Sequence, residues 1–277
     1  MISILVPSRV KNNPDSDLNL FLTSLQKSLD PEYYDLVEVI FKFDSDDTLV
    51  PPKSFFDRFP FVIKSCTFSP CDRRASIDIF INYAFTLRNQ NFKFVLNAAD
   101  DWVFMRKNWI LDYFNLPKYA VVDSAAESLR KHNFDSWEIE KLFKGEASPN
   151  LYYPIRSMIG EYVPSLTANL IEICGNFGYQ ASVDMWATLL PGFVYKLHGL
   201  NIFHKIEPYC RRGATGKAPL IASQARNDPF GGNGYNLMED SGNRPCLNLY
   251  FYNLVAQQAK NIYLNIKADN ELDNYKV

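Results

Sequence analysis

The chain has 277 residues, of which 47% are apolar and 15% aromatic, and its 29 basic and 31 acidic residues leave a net charge of −2. That is enough apolar material for one large α/β domain or two small ones. The near balance of charge argues against a nucleic-acid or membrane-surface partner. Five scattered cysteines, Cys66, Cys71, Cys174, Cys210 and Cys246, include no Cys-x-x-Cys pair, which argues against a zinc knuckle or a thioredoxin-type site and for reduced thiols. The opening Met1–Pro7 lacks the basic start of a secretory leader. No apolar run approaches the ~20 residues of a membrane span. The expectation is a soluble, cytoplasmic protein with no transmembrane segment.

In chain order, Ile2–Val6 reads as a buried strand broken by Pro7-Ser8-Arg9. Asp15-Ser16-Asp17 can cap a helix, and Leu18, Phe21, Leu22, Leu25 and Leu29 follow at helical spacing. Val37–Phe43 is a second strand ending in the acidic turn Asp44-Ser45-Asp46-Asp47-Thr48, and Phe61–Thr67 a third. Ser76–Arg88 is helical, with Ile77, Phe80, Ile81, Ala84 and Leu87 on one face. Phe92–Leu96 has strand length and should stop near Asn97, because the aspartates that follow are poor strand residues. Asp100 and Asp101 then stand at a strand's carboxyl end, where open α/β sheets bind ligands. Two acids there can hold a hard divalent cation, which can grip a diphosphate; a solvated turn is the alternative.

Strand and helix alternate through the first ~105 residues, which predicts a mostly parallel sheet with helices on its faces. Asn108–Phe114 reads as a short helix, Tyr119–Asp123 as a strand, and Ala125–Ala147 as a charged, weakly helical stretch. Ser165 is expected to cap a helix running to about Ile173, ended by Gly175 and Gly178. A further helix opens near Asp184, capped by Ser182 and ended by Pro191-Gly192. Phe193–Leu197 and Leu200–His204 then read as strands around His198-Gly199. Residues 211–244 hold six of the twelve glycines, a loose stretch that is functional or disordered in chains of this kind. Leu247–Ile266 is helical, and the polar tail Lys267–Val277 should fray. Gly213-Ala214-Thr215-Gly216-Lys217 is too short for a P-loop and has no Ser or Thr after its Lys.

Three of these features together resemble a GT-A-type glycosyltransferase of the broad family-2-like group. They are the first strand with Pro7-Ser8-Arg9, the acidic end Asp44–Thr48, and Asn97-Ala98-Ala99-Asp100-Asp101 in the place of that family's Asp-x-Asp metal motif. The strict Asp-x-Asp is absent, so the resemblance leaves open which carboxylate meets the metal. It covers roughly residues 1–205. It implies a GT-A (Rossmann-like) α/β fold in a single domain. Residues 1–105 would be the nucleotide-sugar half, 106–266 the acceptor half with a flexible loop at 211–244, and 267–277 a tail.

The resemblance further implies sugar transfer from a nucleotide-sugar donor, a UDP-sugar by family, to a glycan or small-molecule acceptor, with Mn²⁺ or Mg²⁺ and inversion. Asp101, with Asp100, would meet the metal and diphosphate. Asp44, or failing that Asp46, would contact the base or ribose, and Arg9 the nucleotide. Asp184 would be the general base; an acid favoured by a helix dipole is the other reading. His204, with His198 second, would close the metal site. Arg73 and Arg74 at a helix start, and Arg211 and Arg212 in the loose loop, would meet the diphosphate. Trp102 and Trp186 could stack on a sugar or pack in the core. Two other classes fit less well: a non-catalytic carbohydrate- or nucleotide-binding protein on such a fold, and a sugar-phosphate nucleotidyltransferase. The latter should carry a glycine-rich loop near the first strand, and Ile2–Val10 contains no glycine.

Overall fold

The largely aliphatic run Ile2–Pro7 forms β1, an interior strand of a seven-stranded sheet, buried on both faces from Ile2 to Val6. The computed structural model describes residues 1–8, 14–45, 47, 49–68, 82–100, 102–124, 164–175, 183–212 and 244–276. The other strands are β2 (Val37–Asp44), β3 (Val62–Phe68), β4 (Phe94–Asn97), β6 (Val121–Asp123), β7 (Pro164–Thr167) and β8 (Phe203–Lys205), in the order β3-β2-β1-β4-β7-β6-β8. β1 pairs in parallel with β2 and β4, and β2 with β3. β7 runs antiparallel to both β4 and β6, and β8 runs parallel to β6. A two-stranded antiparallel ribbon joins β5 (Trp102–Phe104) to β9 (Cys210–Arg212). The α/β class and the mostly parallel sheet expected from the sequence are the ones observed. No helix among the described residues is long and apolar enough to cross a membrane.

Strand alternation sorts the core into two layers. Ile2, Ile4 and Val6 of β1, Val37, Val39, Phe41 and Phe43 of β2, and Phe94 and Leu96 of β4 face one layer. There they meet Phe21, Leu22 and Leu25 of α1 (Pro14–Lys27) and the 3-10 helix Trp109–Tyr113. Leu5, Ile40 and Val95 face the other layer. It is covered by α3 (Ala168–Cys174), α4 (Val183–His198) and α5 (Arg244–Ala268); a four-residue helix, α2 (Lys53–Phe56), precedes β3. Residues 82–87 are helical, the described part of the helix expected over Ser76–Arg88.

Several expectations are corrected. Ser165 lies inside β7, fully buried, and Tyr113 and Ser165 share a hydroxyl hydrogen bond of 2.8 Å; Thr167 holds the cap position of α3 instead. Pro191-Gly192 does not end α4, which runs on to His198, so Phe193–Leu197 is helical and not a strand. Proline removes one backbone donor and costs ~3 kcal/mol in a helix interior. Here the flanking Leu190, Phe193 and Val194 are buried, and their burial outweighs that cost. The tail does not fray among the described residues. Tyr275 is buried, its carbonyl accepts from Asn201 N (2.8 Å), and its hydroxyl accepts from Tyr119 N (2.9 Å). The stretches Ala125–Ala147 and 213–243, and the cap Ser182, lie outside the described residues.

Candidate functional site

From β1 the chain moves outward to β2 and β3, then crosses back to place β4 on the other side of β1. The carboxyl ends of β1 and β4 therefore flank the point where the strand order reverses, the place at which such sheets open a ligand crevice. The two strand ends meet there. Ser8 donates its hydroxyl to Asp100 Oδ2 at 2.6 Å, a short charge-assisted hydrogen bond that fixes the carboxylate. Ser8 N in turn donates to Lys42 O (2.8 Å), and the Lys42 ammonium is ion-paired with Asp44. One chain of contacts thus links Asp44 of β2 to Asp100 beyond β4 by way of Lys42 and Ser8.

Lys42 and Asp44 are both about 5% exposed. Cys66, the register partner of Lys42 on β3, is no counter-charge, because burial pushes its thiol up to about 11. The turn after Asp44 is closed from both sides: Asp47 N donates to Asp44 O (3.0 Å), and Asp44 N donates to Asp47 Oδ2 (3.1 Å).

The β5–β9 ribbon carries the second group. Register sets Arg212 opposite Trp102, two residues past Asp100, and Arg211 opposite Val103. These arginines, expected in a loose loop, lie instead in β9, held by pairing with β5. Tyr209, just before β9, pins the ribbon. Its ring stacks on Trp109 at 4.4 Å, it shares a 2.9 Å hydroxyl hydrogen bond with Tyr113, and its carbonyl accepts from Met105 N (2.7 Å). Burial pushes the Tyr113 hydroxyl far up from its ordinary range, and that of Tyr209 likewise, so both stay neutral hydrogen-bonding groups.

Other expected residues fall elsewhere. His204 sits on edge strand β8, in register with Val122, and β7 and β6 separate β8 from β4. Three strand spacings put about 14 Å of sheet between β8 and β4. The His204 Nε2 is buried without a hydrogen-bond partner among the described residues, and burial lowers its pKa. His198 stacks on Tyr263 at 4.4 Å. Trp102 and Trp186 are core residues: both are buried, and the Trp186 indole donates to Gln258 Oε1 at 2.8 Å. Asp184 is the second residue of α4; its side chain, like those of Arg211 and Arg212, lies outside the described residues. Arg9, Asp46, Arg73, Arg74 and Asp101 lie outside them altogether.

Among the described residues no group of three His, Cys, Asp or Glu side chains converges to hold a metal. Among the described residues, oxygen donors near the crevice include the Asp100 carboxylate and, three residues earlier, Asn97, whose Oδ1 is buried without a hydrogen-bond partner among the described residues. Oxygen-only donors of this kind suit Mg²⁺ or Mn²⁺, which keep several waters and share a substrate's phosphates. Sequence reasoning missed Lys42. The available signal was a charge at an inward position of a strand whose other face is wholly apolar.

Low-identity likenesses exist among solved structures. The chain is similar to S. aureus TarS at 16% identity, over 88% of this chain and 43% of that one, with a TM-score of 0.47. Against the TarS 1–349 structure the identity is 14%, the coverage 99% and 88%, and the TM-score 0.48. It is also similar to glucosyl-3-phosphoglycerate synthase from Mycobacterium tuberculosis in complex with Mn²⁺, UDP and phosphoglyceric acid. There the identity is 12%, the coverage 79% and 73%, and the TM-score 0.47. The chain spans less than half of the full TarS chain. No protein-family model matches it, and no curated protein matches it. At these scores none of the likenesses assigns a ligand or a residue's role to this chain.

Proposed function

We propose that the chain is a GT-A-type glycosyltransferase that moves a sugar from a nucleotide-sugar donor to a hydroxyl acceptor with a divalent cation. One observation carries this reading: the Ser8–Asp100 hydrogen bond, which sets an oriented carboxylate at the reversal of strand order. In this reading Asp100 and Asp101, with the Asn97 amide oxygen, hold Mn²⁺ or Mg²⁺. The bound cation supplies Lewis-acid neutralisation of the departing diphosphate. Arg211 and Arg212, with Arg9, Arg73 and Arg74, face the same phosphates. Asp44, with Asp46 as the alternative, meets the base or ribose. Asp184 takes the acceptor's proton as general base, which makes the transfer inverting. His204, with His198 second, is the histidine proposed to close the cation's shell. UDP is the nucleotide favoured, on the sequence resemblance, and a glycan or small hydroxyl compound the acceptor.

The test is thermal unfolding with UDP, GDP, CMP and dTDP, each with and without Mn²⁺. The expected result is a metal-dependent rise for one nucleotide that is lost in Asp101→Ala and Asp100→Ala. A ligand at a hundred times its Kd stabilises by about 2.7 kcal/mol, a shift of several degrees. A flat response to every nucleotide overturns the reading and leaves a binding module on a transferase-like sheet.

A further inference from the structure

The face of β2 turned toward α3, α4 and α5 carries three charges, Glu38, Lys42 and Asp44, and all three are buried. The two ends of that row differ. Glu38, at the amino end, is held by structure: it accepts from Ser3 Oγ (2.5 Å), Lys64 Nζ (2.9 Å) and Asn89 N (2.7 Å). These partners tie β1, β2, β3 and the segment after the 82–87 helix together, which is a sufficient reason for a buried acid. Lys42 and Asp44 lie at the other end, beside the crevice. A lysine this buried is rare unless paired. A buried ion pair is on balance no more stabilising than apolar residues of the same size, so stability alone does not account for one.

We propose that Lys42 is the residue that positions the nucleoside-recognising acid: its ammonium orients the Asp44 carboxylate while its carbonyl holds Ser8. This inference rests on the glycosyltransferase reading. The side chain and the backbone of Lys42 act on different ends of the donor. The ammonium takes Asp44 Oδ1, the end assigned to the base or ribose. The carbonyl accepts Ser8 N, and Ser8 orients Asp100 at the end assigned to cation and diphosphate. A substitution at Lys42 removes the first function and keeps the second, because every residue brings a carbonyl. Lys42 therefore governs recognition of the nucleoside and leaves recognition of the phosphates to Ser8 and Asp100.

The experiment uses the full chain and four forms: wild type, Lys42→Met, Asp44→Asn and the double variant. Binding of UDP, GDP, CMP and dTDP, and of inorganic pyrophosphate, is measured by calorimetry in the presence of Mn²⁺, and unfolding temperature by a thermal scan. Each single variant removes one member of the buried ion pair and should melt lower, whereas the double variant, with neither charge left, should regain part of the lost stability. Lys42→Met, which keeps Asp44, and the double variant should both bind the preferred nucleotide roughly tenfold or more weaker than wild type, the loss expected for missing polar recognition at a buried site. Their affinity for Mn²⁺-pyrophosphate should stay at the wild-type value. Recovered stability with lost nucleotide binding separates a recognition role from a structural one, even if the single variants fold poorly. Wild-type nucleotide affinity in Lys42→Met overturns the role of Lys42 and leaves the transferase reading standing. Equal loss of pyrophosphate binding also overturns it, because the pair would then support the whole edge. No nucleotide binding by the wild type overturns both readings.

Discussion

The two parts of the sheet are built by different means. In β3-β2-β1-β4 every neighbouring pair is parallel, and β1, β2 and β4 are set by local apolar runs. Its carboxyl ends deliver Ser8, Asp44 and Asp100 to one edge. In β7-β6-β8 and the β5–β9 ribbon the strands are three or four residues long, and side chains from distant segments hold them. Trp109 donates its indole N–H to Ser28 Oγ (3.1 Å), and Tyr113 links Ser165 to Tyr209. A parallel sheet part can place ligands by topology alone. The other part has to be pinned, and its pins are buried aromatics.

That contrast can be broken first at Trp109. It is fully buried, stacked on Phe104 at 5.4 Å and on Tyr209 at 4.4 Å. Trp109→Ala should cost roughly 3–5 kcal/mol, as expected of an aromatic core truncation. Chemical denaturation reads the loss, and amide exchange should find protection falling most in 102–104 and 203–212 and least in β1 and β2. Uniform loss over all strands would mean that the two parts are one cooperative unit.

A finer cut is Tyr209→Phe, which keeps the stack on Trp109 and removes the hydroxyl shared with Tyr113. The expected loss is about 1 kcal/mol, the size of one net hydrogen bond. Denaturation midpoints at constant slope measure it. In the transferase reading, Mn²⁺-pyrophosphate affinity should fall in this variant too, because the ribbon that presents Arg211 and Arg212 is loosened.

The smallest effect is expected at His204, on the edge strand β8, three strands from β4. Burial lowers its folded pKa below the unfolded value. The unfolded chain then binds the extra proton first, so stability falls as pH drops below the unfolded histidine value of about 6.5 and levels off below the folded pKa. His204→Gln should flatten that part of the stability–pH curve and leave the neutral-pH stability nearly unchanged. An unaltered slope would trace the acid sensitivity to another group, His198 being the other described histidine whose pKa burial lowers.

How far each part was legible follows from the same contrast. Val37–Phe43 and Ile2–Val6 are read directly because strand length and apolar character are local properties. The acids that follow them are legible as strand-end residues for the same reason. Ser165 was misread because a serine before an apolar run carries the local signature of a cap. Its place inside β7 depends on Tyr113, 52 residues away. Pro191-Gly192 was misread likewise, since their local tendency to stop a helix is outweighed by packing that no window around them contains.

The sequence by itself determined the α/β class, the strands of the parallel part and the acidic strand ends, because each rests on periodicity and on residues within a few positions of one another. Only the tertiary structure decided that Ser8 grips Asp100, that Lys42 is buried against Asp44, that Arg212 lies opposite Trp102, and that His204 stands three strands from β4. Those relations are set by strand order and register, and the free energy that selects an order comes from burying both faces of the sheet at once, a sum no local stretch of sequence contains.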